Sequence, residues 1–242
     1  MKKFIAVVMT LAVALGLAAC GNKVKVMSYA EYMAAELQTE VTVETYVQAK
    51  ESWWSDKCTV YTQNKDGAVF LYDMPCTEED YAKLVPGTKI RVTGVKAEWS
   101  GEVELTWDEG TKPGVFTIVK GDTYVADPTD VTSVMGTDDL IKHMNKKVCF
   151  KGMTVEAANE DGAAYLYKWD GSGEDGDDLY FNVSLNGNTY SFNVRKYLCG
   201  KDTEVYAAVK NLQVGDKIDL EGYLYWYADE PQPRITAVSA AQ

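Results

Sequence analysis

Two short aromatic clusters carry the clearest capacity for chemistry in this chain: Glu51-Ser-Trp-Trp-Ser-Asp56 and Ala97-Glu-Trp-Ser-Gly101. Trp53, Trp54 and Trp99 stand there beside carboxylates and small polar residues. An exposed indole offers a flat apolar face that stacks on a sugar ring or a nucleobase. A neighbouring Glu or Asp accepts hydrogen bonds from hydroxyls. Tyr61 and Trp226, the latter in Tyr223-Leu-Tyr-Trp-Tyr227, are further candidates for the same role, with Pro231 and Pro233 stiffening the loop after Trp226. The competing reading is that these rings roof a core or join two parts of the chain, because large aromatic side chains are mostly buried wherever they occur. Trp107 is read as packing.

The acidic run Asp170-Gly-Ser-Gly-Glu-Asp-Gly-Asp-Asp178 offers oxygen donors from Asp170, Glu174, Asp175, Asp177 and Asp178. Calcium takes such donors from flexible loops, but the glycine that an EF-hand needs at the sixth position is replaced here by Asp175. A solvated loop is the favoured reading, calcium is kept as a non-EF candidate, and no other cofactor is expected. Apart from Cys20 the cysteines are Cys58, Cys76, Cys149 and Cys199, with no C-x-x-C pair and only His143 to complete a zinc set. Four thiols pair in three ways. The local choice is Cys58–Cys76 and Cys149–Cys199, with a disulfide of the first loop size contributing about 3 kcal/mol by the chain-entropy argument. The alternative is four reduced thiols. No nucleophile elbow, zinc-binding His-Glu-x-x-His or phosphate-cradling glycine loop is present, and His143 reads as a packing or surface residue. The chain is expected to bind rather than catalyse.

Charge narrows the partners. The 36 Asp and Glu outnumber the 24 Lys and Arg, giving a formal charge of −12, and the arginines are Arg91, Arg195 and Arg234 alone. Such a surface repels phosphate backbones, whose binding depends on Lys and Arg displacing condensed counterions. The balance therefore speaks against nucleic acid unless a local basic stripe overrides it, for which Lys89, Arg91 and Lys96 are the best candidates.

At the N-terminus, Lys2 and Lys3 precede an apolar run from Phe4 to Leu17, then Leu17-Ala-Ala-Cys20 and Gly21. This is the charged, apolar and small-residue order of a secretory signal, too short to span a bilayer. Leu17-Ala-Ala-Cys20 resembles the lipobox of bacterial lipoproteins. The resemblance implies a signal peptide over 1–19, acylation of Cys20, a lipidated tether over 20–27, and a place on the extracytoplasmic face of a bacterial envelope membrane. An ordinary signal peptide with an incidental cysteine is the alternative.

The elements that must position the aromatics occur twice. Ser28-Tyr-Ala-Glu-Tyr-Met33 precedes Glu40-Val-Thr-Val-Glu-Thr-Tyr-Val-Gln48, and Thr137-Asp-Asp-Leu-Ile-Lys-His-Met144 precedes Lys147-Val-Cys-Phe-Lys-Gly-Met-Thr-Val155. Each pair reads as a short helix and an alternating strand, with a capping box at Ser28 and Glu31. Pro86-Gly-Thr-Lys-Ile-Arg-Val-Thr-Gly94 matches Val214-Gly-Asp-Lys-Ile-Asp-Leu-Glu-Gly222. Between these landmarks each half carries a hairpin, turning at Asn64-Lys-Asp-Gly67 in the first and at Asn186-Gly187 in the second. A last strand closes each half, near Glu102–Thr106 and Arg234–Val238. The second copy is longer before its hairpin, where the acidic run sits, and again around Lys201–Asn211.

Five strands per half in this order predict an all-β fold of two tandem five-stranded barrels with short capping helices, since closure leaves no bare edge. Val60-Tyr-Thr-Gln-Asn-Lys-Asp-Gly-Ala-Val-Phe-Leu-Tyr72 with Gly87-Thr-Lys-Ile-Arg-Val-Thr-Gly94 resembles the OB-fold domains of secreted bacterial nucleases and envelope lipoproteins. The resemblance covers 28–120 and, more loosely, 137–242, leaving 121–136 as a linker. It brings no catalytic motif. It implies a binding face beside the loop joining the first two strands and the loop joining the last two, where Trp53, Trp54 and Trp99 would converge around Tyr61. The expectation is a lipid-anchored binding or adapter protein for an oligosaccharide or a protein partner. The alternatives are a nucleic-acid-binding or nuclease-associated module, and a purely structural lipoprotein.

Overall fold

Hydrophobic alternation builds the first barrel. In this computed structural model, which describes residues 24–107, 110 and 114–241, the capped segment Tyr29–Ala34 is helix α1. The signal segment and Cys20 lie outside the described residues. Ser28 Oγ accepts from the Glu31 amide while the Glu31 carboxylate accepts from the Ser28 amide, completing the expected capping box. Strands β1 (Glu40–Lys50), β2 (Lys57–Gln63) and β3 (Ala68–Pro75) form a meander. Helix α2 (Glu78–Lys83) then leads to β4 (Lys89–Trp99), β5 (Glu102–Thr106) and an added strand β6 (Val115–Ile118). β3 pairs in parallel with β5, and β4 returns to β1, so β1-β2-β3-β5-β4 closes on itself. Val41, Val43, Val60, Leu71, Ile90, Val92 and Leu105 fill the interior.

The second barrel repeats the circuit. A short strand β7 (Thr129–Asp130) lies parallel to β8 (Lys147–Glu156), and β9 (Leu166–Tyr167) edges β10 (Leu179–Leu185). β10 turns through Asn186 and Gly187, at φ 52° and 83°, into β11 (Asn188–Val194). Both residues adopt the left-handed backbone that a two-residue hairpin demands. Helix α3 (Glu204–Lys210), β12 (Lys217–Tyr223), the small ribbon β13 (Trp226–Tyr227) with β14 (Glu230–Pro231), and β15 (Arg234–Ala240) complete it. Here β11 runs parallel to β15 and β8 pairs with both β10 and β12, closing a second five-stranded barrel. Leu179, Phe181 and Val183 point inward, as their alternation predicts.

The matched glycines have matched reasons. Gly87 and Gly215 sit at φ +89° and +97°, ahead of β4 and β12. Gly94 and Gly222 let neighbouring chains approach: an added Cβ would lie 2.5 Å from the Thr106 carbonyl oxygen at Gly94 and 2.2 Å from that of Arg234 at Gly222. Two elements differ from expectation. The predicted second-half helix is a 3-10 turn over Asp138–His143, because Thr137 gives it no side-chain cap. The extra residues around Lys201–Asn211 fold as α3, whose Thr203 Oγ accepts from the Tyr206 amide.

Candidate binding groove between the barrels

The barrels are joined by an aromatic and polar seam. Tyr61 of β2 stacks on Tyr223 of β12 with ring centres 4.5 Å apart, and Phe70 meets Tyr225 edge-on at 5.5 Å. Arg234, at the start of β15, lays its guanidinium 3.5 Å over the Tyr225 ring. The same guanidinium donates to the Tyr61 hydroxyl and to Glu51 Oε1, while Tyr61 donates to Glu51 at 2.8 Å. Backbone amides reinforce the seam: Lys147 donates to Gln63 Oε1, Trp226 to Glu102 Oε2 and Ser52 to the Tyr197 carbonyl, each at 2.8 Å.

Beside this seam opens a groove made of two adjoining hollows that share lining residues. The larger hollow, about 740 Å³, is lined by Tyr72, Trp99 and Glu104 of the first barrel and by Trp169, Tyr180, Arg195, Tyr225, Tyr227, Gln232 and Arg234 of the second. The smaller, about 300 Å³, is lined by Trp54, Lys57, Tyr197 and their neighbours, and it shares Tyr72 and Arg195 with the larger. Six aromatic side chains are exposed among the described residues: Trp54, Tyr72, Trp99, Trp169, Tyr197 and Tyr227. All six line this one groove.

Its electrostatics depart from those of the whole chain. Two of the three arginines are here. Arg195 is paired with Asp178 at 2.7 Å and Arg234 with Glu51 at 3.3 Å. Glu104 is only 7% exposed, and its carboxyl makes no hydrogen bond among the described residues. Burial pushes its pKa up to about 7, with Arg234 opposing and Asp73 adding to the rise. Two residues earlier on β5, burial pushes Glu102 up to about 8 despite the hydrogen bond from the Trp226 amide. The groove wall is thus less negative near neutral pH than its carboxylate count implies.

The predicted site residues divide. Trp54 and Trp99 do face the groove, with 73% and 61% of their surface exposed. Trp53 is half-buried and donates its indole N–H to the Cys76 carbonyl at 2.8 Å, which makes it a packing residue. Tyr61 and Trp226 are buried, in the seam and in the second core respectively, so neither presents a ring to a ligand. Tyr72, Trp169, Tyr197, Tyr227, Glu104 and the two arginines were missed. Only Trp169 carried a signal, as a large aromatic stranded in a Gly/Asp-rich loop.

The acidic run is tied down rather than free. Asp175 pairs with Lys210, Asp177 with Lys168 and Lys196, and Asp178 with Arg195. Asp170 accepts from the Ser172 amide, and no cluster among the described residues is arranged to hold a metal, so the calcium candidate loses its donors to cations. The basic stripe is likewise spent: Lys89 and Arg91 both pair with Glu44, and buried Lys96 donates to the Met33 and Ala35 carbonyls. No disulfide joins Cys58, Cys76, Cys149 or Cys199 among the described residues, so the expected pairing is not shown. Cys58 and Cys76 lie side by side, and their hydrogen bond raises the first thiol and lowers the second. Cys149 instead faces Asp130, Lys151 and Glu221, while Cys199 is buried with Glu51 as its charged neighbour.

No protein-family model matches the chain, and no curated protein matches its sequence. Solved structures of similar outline do exist. One is the tetrameric p202 HIN2, with 13% identity and a TM-score of 0.35, covering 86% of this chain and 96% of that one. Another is a murine DNA-binding protein bound to double-stranded DNA, with 12% identity and a TM-score of 0.37, covering 83% and 96%. A third is the Ifi202 HINa domain with 20-bp double-stranded DNA, at 9% identity and a TM-score of 0.36, covering 85% and 97%. The charge-based expectation that sets nucleic acid aside is corrected by the groove itself, where two of the three arginines it counted as too few are gathered.

Proposed function

We propose that this chain is a binding module whose inter-barrel groove holds a single-stranded nucleic acid by stacking its bases on exposed aromatic rings. One observation carries the reading: all six exposed aromatic side chains among the described residues line one groove of two adjoining hollows. Leaving large rings in water is unfavourable, so their collection on one path needs a partner surface. Base stacking contributes about 1–3 kcal/mol per base and tolerates any sequence. Arg195 and Arg234 offset the carboxylates Asp178 and Glu51 beside the groove, and partial protonation of Glu104 removes part of the repulsion toward phosphate. The reading rests on the groove and not on the likeness in outline to DNA-bound proteins.

An oligosaccharide is the second reading, favoured by one specific feature. Lys168, Lys196 and Arg195 are all engaged with Asp177 or Asp178, so the cations beside the groove are largely neutralised. Fluorescence anisotropy of a labelled twelve-nucleotide dT strand, at low salt and against a panel of neutral oligosaccharide competitors, separates the two. The account expects dT binding that Trp99→Ala and Trp169→Ala each weaken about tenfold. Sugar-dependent tryptophan quenching without dT binding replaces it with the second reading.

We further propose that the module is held at the outer face of a bacterial membrane by a lipid on Cys20, a reading supported by Leu17-Ala-Ala-Cys20. Mass spectrometry of the membrane fraction should find a lipid-bearing N-terminal peptide, and Cys20→Ala should abolish it. An unmodified Cys20 in that fraction would sink the assignment.

A further inference from the structure

The carboxyl of Glu104 stands at the wall of the groove, more than nine-tenths buried and without a hydrogen-bond donor among the described residues. A carboxylate in that position is largely desolvated, its oxygens keeping only slight access to solvent, with the more distant charge of Arg234 in partial compensation. The exposed rings Tyr72, Trp99 and Trp169 line the same hollow.

We infer that Glu104 is a specificity-determining residue that selects guanine in this hollow, its two carboxylate oxygens accepting from the base's N1–H and exocyclic amino group. The inference rests on the nucleic-acid reading above. An ionised carboxylate only accepts hydrogen bonds. Guanine alone presents two adjacent donors on its pairing edge. Cytosine and adenine set an amino donor beside a ring-nitrogen acceptor, and thymine has one donor between two acceptors, so each leaves a lone pair facing a carboxylate oxygen. Parallel paired bonds to a charged group are the strong kind.

Selection should also depend on pH, because only the ionised carboxyl takes both donors. The charged and titratable groups facing Glu104 are Arg234 from β15, Asp73 and Tyr72 from β3, Tyr225 beside β12, Tyr32 from α1 and Glu102 on its own strand, with Arg195 across the hollow. Burial and the two acids hold the proton on, while Arg234 favours its release, and a bound guanine favours release further.

The test compares an all-dT octamer with the same strand carrying one central dG, and with one carrying deoxyinosine, which lacks the amino group. At pH 8 the dG strand should bind about tenfold more tightly than all-dT, with deoxyinosine between them. The advantage should vanish below about pH 6 and in Glu104→Gln, whose circular-dichroism spectrum and cooperative thermal transition, matching wild type, show that it is folded. Equal affinity of wild type for the dG and all-dT strands at pH 8 would overturn the guanine assignment while leaving the stacking reading intact. Failure to bind either strand would overturn both.

Discussion

At the residue scale, Arg234 binds the molecule together. It neutralises Glu51, completes the Tyr61 hydrogen bonds and covers Tyr225 from a position that is 7% exposed. Removing one partner of such a pair strands the other charge in a dry site, so Arg234→Ala should cost about 3–5 kcal/mol. Adding Glu51→Gln to Arg234→Met should recover much of that loss, which paired chemical denaturation curves would measure. Glu102 sets a different dependence. Its pKa rises from 4.5 to about 8 on folding, so between those values the folded protein binds more protons than the unfolded one. Stability therefore falls as pH rises through that window, and Glu102→Gln should flatten the slope of Tm against pH. A rising slope in the wild type would contradict the burial of this carboxyl. Trp54 and Trp99 were legible because they stand at strand ends, where a ring with no hydrogen-bond partner inside is left facing solvent, whereas Trp53 beside them is tied to the Cys76 carbonyl. Tyr61 and Trp226 were not, since alternation gives the face of a strand but not what a second barrel places over it.

At the element scale, the repeat was readable because closing a small barrel makes the same demands twice. A left-handed residue ahead of the fourth strand gave Gly87 and Gly215, and close approach to the fifth gave Gly94 and Gly222. A Cβ at Gly222 would meet backbone at 2.2 Å, whereas one at Gly94 would first meet the Leu105 side chain at 2.3 Å, with the Thr106 carbonyl oxygen at 2.5 Å. Both alanine variants should lose about 1–3 kcal/mol, with Gly222→Ala the more damaging because backbone yields least. Urea midpoints would rank them. Helices α2 and α3 escaped the sequence reading because each is a turn or two long, below the length at which helical periodicity separates from its surroundings. The acidic run misled for a related reason: its composition reads as solvated, but Lys168, Lys196, Lys210 and Arg195 come to it from other segments.

At the scale of the whole molecule, two barrels joined by buried rings and amide bonds behave as one body. Calorimetry should show a single transition rather than two. Net charge is a poor guide to the electrostatics of one groove because field lines and contacts are local. A chain with a formal charge of −12 still gathers two of its three arginines, and all its exposed described aromatics, along one groove. The central claim is that this groove is where a single strand lies. Photo-cross-linking of a strand carrying 5-iodouracil, with adducts mapped by mass spectrometry, tests it most directly. The account predicts adducts at Trp99, Trp169, Tyr72 or Tyr227, extending to Trp54 and Tyr197 with longer strands. Adducts confined to the separate polar hollow around Tyr46, Lys65 and Lys89 would contradict it.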